Sequence, residues 1–199
     1  MRQLIFLEST QGYASKIMKR LFDILFSLIA LLVFLIPMVV ISILLKFKEK
    51  HPLLFKQVRI GINKKSFEIL KFQTLINETP TTTGKILRKT GLDELPQFIN
   101  VLKGDMSIVG PRALTKSDIE RFAWDNAFHA KRWTIKPGIT GLAQLYGGQH
   151  KKTSWFWDAK YLDKNNILLD LVIVLLSFLV NMMGKKRVRR IIWPDKLLN

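Results

Sequence analysis

Asp93 and Glu94 stand side by side in a chain whose 32 Lys and Arg outnumber its 15 Asp and Glu, and Pro96 follows them. Proline is tolerated in the first turn of a helix and not deeper, so Pro96 places a helix start close to residues 92–95, with both acids on its first turn. Helix starts carry partial positive charge and free N–H groups, which favour carboxylates and attract phosphate. A carboxylate and an anionic substrate then compete for one place unless a metal neutralises one of them. Mg²⁺ resolves the conflict, because it takes oxygen ligands and couples one or two carboxylates to substrate phosphates. Asp93 and Glu94 are therefore candidates both for catalysis and for holding Mg²⁺. Consecutive helical residues do not share a face, so the acids have different jobs, unlike a carboxyl pair converging on one proton. Simple capping is the other account: Thr90-x-x-Asp93 matches a capping box, and Glu94 would merely favour the dipole.

Cationic and glycine-rich stretches surround the acids in the sequence. SIVGPR ends in a Gly-Pro-Arg turn at Gly110, Pro111 and Arg112, able to present a guanidinium for bidentate phosphate binding. Arg88 and Lys89 lie within two turns upstream, and Gln57 and Arg59 lie on a predicted hairpin. PGITG at 137–141, with Gly138, Thr140 and Gly141, can expose backbone N–H groups as an anion nest. Taken together, these parts describe a metal-assisted diphosphate site. His51, His129 and His150 have no metal-ligand spacing and read as surface or packing residues. Neither a Walker A nor a G-x-G-x-x-G motif is present. Trp155, Phe156 and Trp157 could stack on a nucleobase, but interfacial anchoring is the expected role beside membrane segments.

Several elements must position these residues. The uncharged run at 24–45 would cover about 33 Å as a straight helix, enough to cross a hydrocarbon core of about 30 Å. A removed signal peptide fits poorly, because the run is too long and no small-x-small cleavage site follows. Lys16, Lys19 and Arg20 precede the run, and Lys46, Lys48 and Lys50 follow it. Cations at both ends favour a hairpin that bends at Pro37 and returns to its own leaflet, over a kinked spanning helix. Residues 53–60 and 66–74 are β-rich around Gly61 and Asn63, which predicts a hairpin. Residues 77–84 read as a polar loop. Leu95, Phe98, Ile99 and Leu102 keep helical spacing up to a Gly104 cap. Residues 117–133 read as one amphipathic helix with Ser117 as N-cap and Glu120 completing a capping box. Residues 136–149 read as irregular. The apolar stretch at 171–183 would rise only about 20 Å, and KKRVRR follows it. This pattern fits an interfacial helix drawn to anionic membrane lipids. The absence of cysteine excludes disulfides and thiolate metal sites. The expected architecture is α+β and mainly helical, one monotopic domain. It comprises a re-entrant membrane helix at 16–50, a cytoplasmic catalytic region with a small β-hairpin at 51–166, and an interfacial helix with a basic tail at 167–199.

KRLFD, FKQVRIG, LRKTGLDELPQFINVLKGDMSIVGPR, KPGITGLAQ and the LDL at 169–171 together resemble the small monotopic phosphoglycosyl transferases of bacteria, the bacterial sugar transferase family. The resemblance implies transfer of a phosphosugar from a UDP-sugar to polyprenyl (undecaprenyl) phosphate, with release of UMP. It implies Asp93 as the nucleophile that forms a covalent phosphosugar intermediate and Glu94 as support for metal binding and proton handling. Substrate contacts would fall on Arg59, Arg88, Pro111, Arg112, Gly138, Thr140, Gly141 and Gln144. It also implies a re-entrant helix at the cytoplasmic face of the bacterial inner membrane. The chain departs from the usual pattern at Ile36-Pro37, where Ser-Pro is common, at Gln73, at Ala113, at Tyr146 and Gly148, and in a shorter loop before Lys85. These changes leave the reaction class intact and the sugar unspecified. A non-enzymatic membrane scaffold for glycan assembly is the alternative. The formal net charge of +17 calls for a polyanionic partner, but the chain carries no recognisable nucleic-acid reading module, and no nucleic acid partner is expected.

Overall fold

The computed structural model describes residues 2–48, 52–147, 151–184 and 187–188, with side chains for 16–47, 52–146, 151–184 and 187–188. Lys50, His51, Gly148, His150 and most of the basic stretch at 185–190 lie outside them, as does the Lys48 side chain. The fold is mainly helical with small sheets.

Helix α1 (Arg2–Val33) breaks at Phe34 and continues as α2 (Leu35–Ile43) and a π-helical turn (Leu44–Lys48). Pro37 has no N–H to offer the carbonyl four residues back, so the ladder fails just ahead of it. The arms Lys16–Val33 and Leu35–Phe47 meet at a 56° bend. Among the described residues no single helix is long and apolar enough to cross a membrane, whereas this bent pair passes together by length and composition. Leu21, Leu25, Leu32, Ile36, Val40 and Phe47 stand exposed along it.

The expected hairpin forms from β1 (Leu54–Ile60) and β2 (Ser66–Phe72), antiparallel, with Gln57 opposite Ile69 and Phe55 opposite Lys71. Directly paired residues share a sheet face, and so do residues two apart. Gln57, Arg59, Ile69 and Lys71 therefore lie on one face. On the other, Leu54 and Phe72 pack with Ile41, Leu45, Leu87 and Leu95.

The stretch read as a polar loop is more ordered than its composition indicates. A two-residue turn at Asn77 and Glu78, both at positive φ, joins β3 (Leu75–Ile76) to β4 (Thr79–Pro80). Thr81 then caps α3 (Thr82–Thr90) by accepting from Gly84 N. A short 3₁₀ turn (Leu92–Glu94) leads through Pro96 into α4 (Gln97–Lys103), which ends at Gly104 with φ 94°. The single helix expected over 117–133 is two elements. Helix α5 (Lys116–Phe122) starts at Thr115, whose capping box is completed by Asp118, and stops at Ala123 with φ 52°. Asn126 caps the 3₁₀ segment Ala127–Thr134 by accepting from His129 N. The pattern-based cap was misplaced because Thr115 and Asp118 satisfy the same spacing two residues earlier.

The stretch read as irregular supplies β6 (Gly138–Thr140), parallel to β5 (Ser107–Val109), and a π-helical turn (Ala143–Gly147). Helices α6 (Lys151–Lys164) and α7 (Ile167–Met183) complete the fold. Trp155 packs against Trp124, Phe128 and His129, Trp157 packs on Tyr146, and Phe156 between them is exposed. His129 is the packing residue its spacing indicated.

Ile69, Val101, Met106, Ile108 and Ile173 anchor the main core. A buried polar cluster penetrates it. Lys19 Nζ lies 2.7 Å from Asp170 and 3.2 Å from Asp23, and Tyr161 OH donates to Asp170 at 2.8 Å with the Val109 carbonyl 3.1 Å away. Buried ions persist only when paired and hydrogen-bonded, so this cluster ties α1, α6 and α7 to β5. Arg20 adds two bonds to the carbonyls of Val101 and Leu102 at the end of α4.

Candidate active site

The acid pair sits on the 3₁₀ turn between α3 and α4, held by Glu94 N donating to Gly91 O and by Gly91 at φ 74°. Capping does not account for it. The Thr90 hydroxyl turns back to the carbonyls of Ile86 and Leu87, and the turn has no side-chain cap. As adjacency requires, the two acids differ in environment. Asp93 is 7% exposed. Burial, then the neighbouring Glu94, push its carboxyl above the usual carboxylate range, against the opposing charges of Lys71 and Arg88. Glu94 is half-open and paired with Lys71 at 2.5 Å. Lys71 reaches it from the hairpin face that also carries Gln57 and Arg59.

Arg59, on the same hairpin face as Lys71, lines a cavity of about 370 Å³. Its guanidinium donates to Gln57 Oε1 and to the Ala113 carbonyl and lies 3.5 Å from Asp118. Burial and then Arg112 hold its proton affinity below the usual arginine value, while Asp118 and Glu94 oppose them. Arg112 and Gln144 share the cavity with Arg59, and the buried Arg132–Asp158 pair, 3.0 Å apart, underlies it. Arg132 also donates to the Arg112 carbonyl, which fixes the backbone from which the Arg112 side chain projects.

The glycine-rich residues lie behind this surface. Gly138 N donates to Pro111 O, and Gly110 N donates to Thr140 O. A Cβ on Gly138 would stand 2.1 Å from Gly110 N, and one on Gly141 would stand 2.2 Å from Gly110 O. These glycines permit close strand approach, and the Gly138 N–H is already used rather than free for an anion. Thr140 Oγ1 shares a hydrogen bond with Ser177 on α7. The structure thus brings Arg59, Arg112 and Gln144 to one cavity and sets Arg88 near Asp93. Pro111, Gly138, Thr140 and Gly141 form the strand junction that supports Arg112.

Sequence reasoning passed over Lys71, Arg132, Asp158 and Asp118. Lys71 was detectable, since the hairpin register places it two residues from Ile69 on the face of Arg59. Asp158 and Arg132 carried no local signal, because their pairing spans 26 residues.

The donor set fits Mg²⁺. Two adjacent carboxylates are present, and no group of three or more acidic, His or Cys ligands occurs among the described residues. A hard cation that keeps waters and completes its shell with phosphate oxygens needs no more.

Arginine side chains gathered at one cavity suit the binding of anions, phosphate above all. The chain belongs to the bacterial sugar transferase family, whose model matches residues 14–184. It is 35% identical to the uncharacterised sugar transferase EpsL of Bacillus subtilis over 81% of this chain and 85% of that protein. It is 36% identical to a UDP-N-acetylgalactosamine-undecaprenyl-phosphate N-acetylgalactosaminephosphotransferase of Aeromonas hydrophila, over 65% of this chain and 34% of that protein. The match to a UDP-glucose:undecaprenyl-phosphate glucose-1-phosphate transferase of Klebsiella pneumoniae is 35% identical, covering 85% of this chain and 41% of the relative. The chain therefore spans less than half the length of these last two.

Proposed function

We infer that the chain is a phosphoglycosyl transferase that moves a phosphosugar from a UDP-sugar to polyprenyl (undecaprenyl) phosphate. The observation that carries this reading is the buried Asp93 beside Glu94, whose partner Lys71 shares a hairpin face with Arg59 at the wall of an arginine-lined cavity. The names of relatives that act on UDP-sugars and undecaprenyl phosphate support it.

In this mechanism an Asp93 carboxylate oxygen attacks the sugar-bearing phosphorus, and the phosphoanhydride bond breaks so that UMP departs. A phosphate oxygen of the polyprenyl phosphate then attacks the same phosphorus, the bond to Asp93 breaks, and the carboxylate is regenerated. Splitting the transfer lets a water-soluble and a lipid-embedded substrate use one site in turn. Arg59 and Arg112 offset charge on the phosphates, and Lys71 fixes Glu94 in place. Asp93 and Glu94 would hold Mg²⁺, which supplies positive charge against the phosphate oxygens when bound.

The bent α1–α2 pair is a re-entrant hairpin in this reading, with α7 in the interface. Cations at both ends of the pair, exposed apolar side chains along both arms and the 56° bend support it. The catalytic region then lies on the cytoplasmic face, and the basic residues meet anionic lipids.

The test is UMP release from a panel of UDP-sugars by the full chain in nanodiscs containing undecaprenyl phosphate. A donor labelled in its sugar-bearing phosphate should label the protein, and Asp93→Asn should lose both label and turnover. Normal turnover in that variant removes the nucleophile, and no UMP release from any donor leaves the scaffold reading. Cysteines placed near Lys19 and Lys48 should react with an impermeant thiol reagent from the same side; labelling from opposite sides ends the re-entrant hairpin.

A further inference from the structure

The transfer proposed above does not say which half of the donor occupies the cavity beyond Arg59. We propose that it takes the nucleoside monophosphate half, the group that leaves, and that the sugar lies outside it.

Charge argues first. Arg132 and Asp158 neutralise each other beneath the cavity. Three guanidiniums, Arg59, Arg112 and Arg121, then line it against one carboxylate, Asp118. When the phosphoanhydride breaks, negative charge collects on the departing nucleotide phosphate, whereas the sugar ring is neutral. A guanidinium excess stabilises the former and gains nothing from the latter.

Placement and lining agree. Lys71 pairs with Glu94 from the hairpin face that also carries Arg59, so the Arg59 end of the cavity is the end nearer the acid pair. Phosphate groups belong there. Trp124 also lines the cavity, is 1% exposed, and its Nε1 has no partner in the protein. Arg59 Nε is likewise buried and unpartnered. Buried donors are seldom left without acceptors, and these two belong to residues of the cavity wall, whereas a third such donor, Trp133 Nε1, does not. The hydroxyls of Thr115 and Ser117, 2.9 Å apart, add groups matched to a ribose. The cavity's size is within the range of small-ligand sites. We place the leaving phosphate on Arg59 and Arg112 and the nucleoside along the wall from Ser117 to Trp124.

This assignment rests on the transferase reading, and its test separates the two. UMP binding is measured by equilibrium titration on the full chain in nanodiscs, so no turnover is required. Asp93→Asn should bind UMP at least as tightly as the parent chain while losing turnover. Arg121→Gln and Trp124→Phe should each weaken UMP about three- to tenfold, the range of one lost hydrogen bond or charge contact. Arg121 is two-thirds exposed at its side chain, so its variant keeps the test alive if the buried Trp124→Phe does not fold. The second measurement is transfer from pre-formed labelled intermediate to undecaprenyl phosphate after UMP has been removed. Its rate should stay within about twofold of the parent chain in Arg121→Gln, far below the roughly tenfold that 1.4 kcal/mol represents. Unchanged UMP affinity in every folded variant overturns the proposal. So does a second step slowed as much as the first, because the cavity would then be holding the sugar.

Discussion

Asp23, on the helix that enters the apolar bend, accepts a hydrogen bond from Ser107 Oγ at 2.9 Å although the two lie 84 residues apart in sequence. The same oxygen accepts from Ile108 N at 3.0 Å. Strand β5 runs straight from these residues into Gly110, Pro111 and Arg112. The helix that leads into the bend therefore holds the strand whose end presents Arg112 to the cavity, and Lys19 pairs with both Asp23 and Asp170.

Asp23→Ala removes that acceptor and strands Ser107 and Ile108. Breaking one partner of a buried ionic cluster costs about 3–5 kcal/mol, and we expect a loss of that order. Asp23→Asn keeps an acceptor oxygen and should lose about 1–3 kcal/mol. Denaturant unfolding in micelles measures both, and equal stability in all three proteins would remove the anchoring role.

Arg112 and Arg132 should respond differently to truncation. Arg112 projects from a backbone that other residues fix, so Arg112→Ala should lose well over tenfold in turnover with an unchanged melting temperature, a change of more than about 1.4 kcal/mol in the barrier. Arg132→Ala leaves Asp158 buried without its partner and should cost about 3–5 kcal/mol of stability. Turnover and thermal melting on the same preparations separate the cases; an Arg112→Ala protein that turns over normally would end its phosphate role.

Much of this was legible locally. The hairpin followed from β-rich runs around Gly61 and Asn63, the Gly104 cap from a glycine after the last periodic residue, and the bend from Pro37. Each is fixed by backbone sterics within a few residues. What escaped was non-local. The β5–β6 pairing joins Ser107 to Gly138, and nothing near either residue announces a parallel partner 31 positions away. The glycines of 138 and 141 read as an anion nest because conformational freedom and close packing ask for the same residue type. Asp170 falls in the first turn of α7, where an acid is ordinary, so its burial against Lys19 needed the fold.

Metal dependence should be direct. Chelation with EDTA should abolish turnover and added Mg²⁺ restore it, since Asp93 and Glu94 lack any third acidic or His neighbour to hold a cation tightly among the described residues. Glu94→Gln should raise the Mg²⁺ concentration for half-maximal rate by about tenfold or more. Full activity in chelator removes the metal from the mechanism.

Acid should weaken the start of α5 through Asp118. Burial alone would raise the proton affinity of this carboxyl. The Thr115 hydroxyl and N–H, together with Arg121 and Arg59, outweigh burial and hold it below the ordinary carboxylate range. A folded-state value below the unfolded one means the carboxylate stabilises the fold above the unfolded value, about 3.9 for Asp. The contribution is lost as pH falls through the lower, folded value. Asp118→Asn should therefore melt below the parent chain at pH 7, and the gap should narrow when both are compared below about pH 4. Thr115→Ala removes the reciprocal half of the capping box and a bond that favours the ionised Asp118 carboxyl, so it should lower the melting temperature at pH 7 and its cost should also shrink in acid. A gap between the parent chain and Asp118→Asn that widened in acid would show that the carboxyl is protonated more easily in the folded chain, and would reverse the sign argued here.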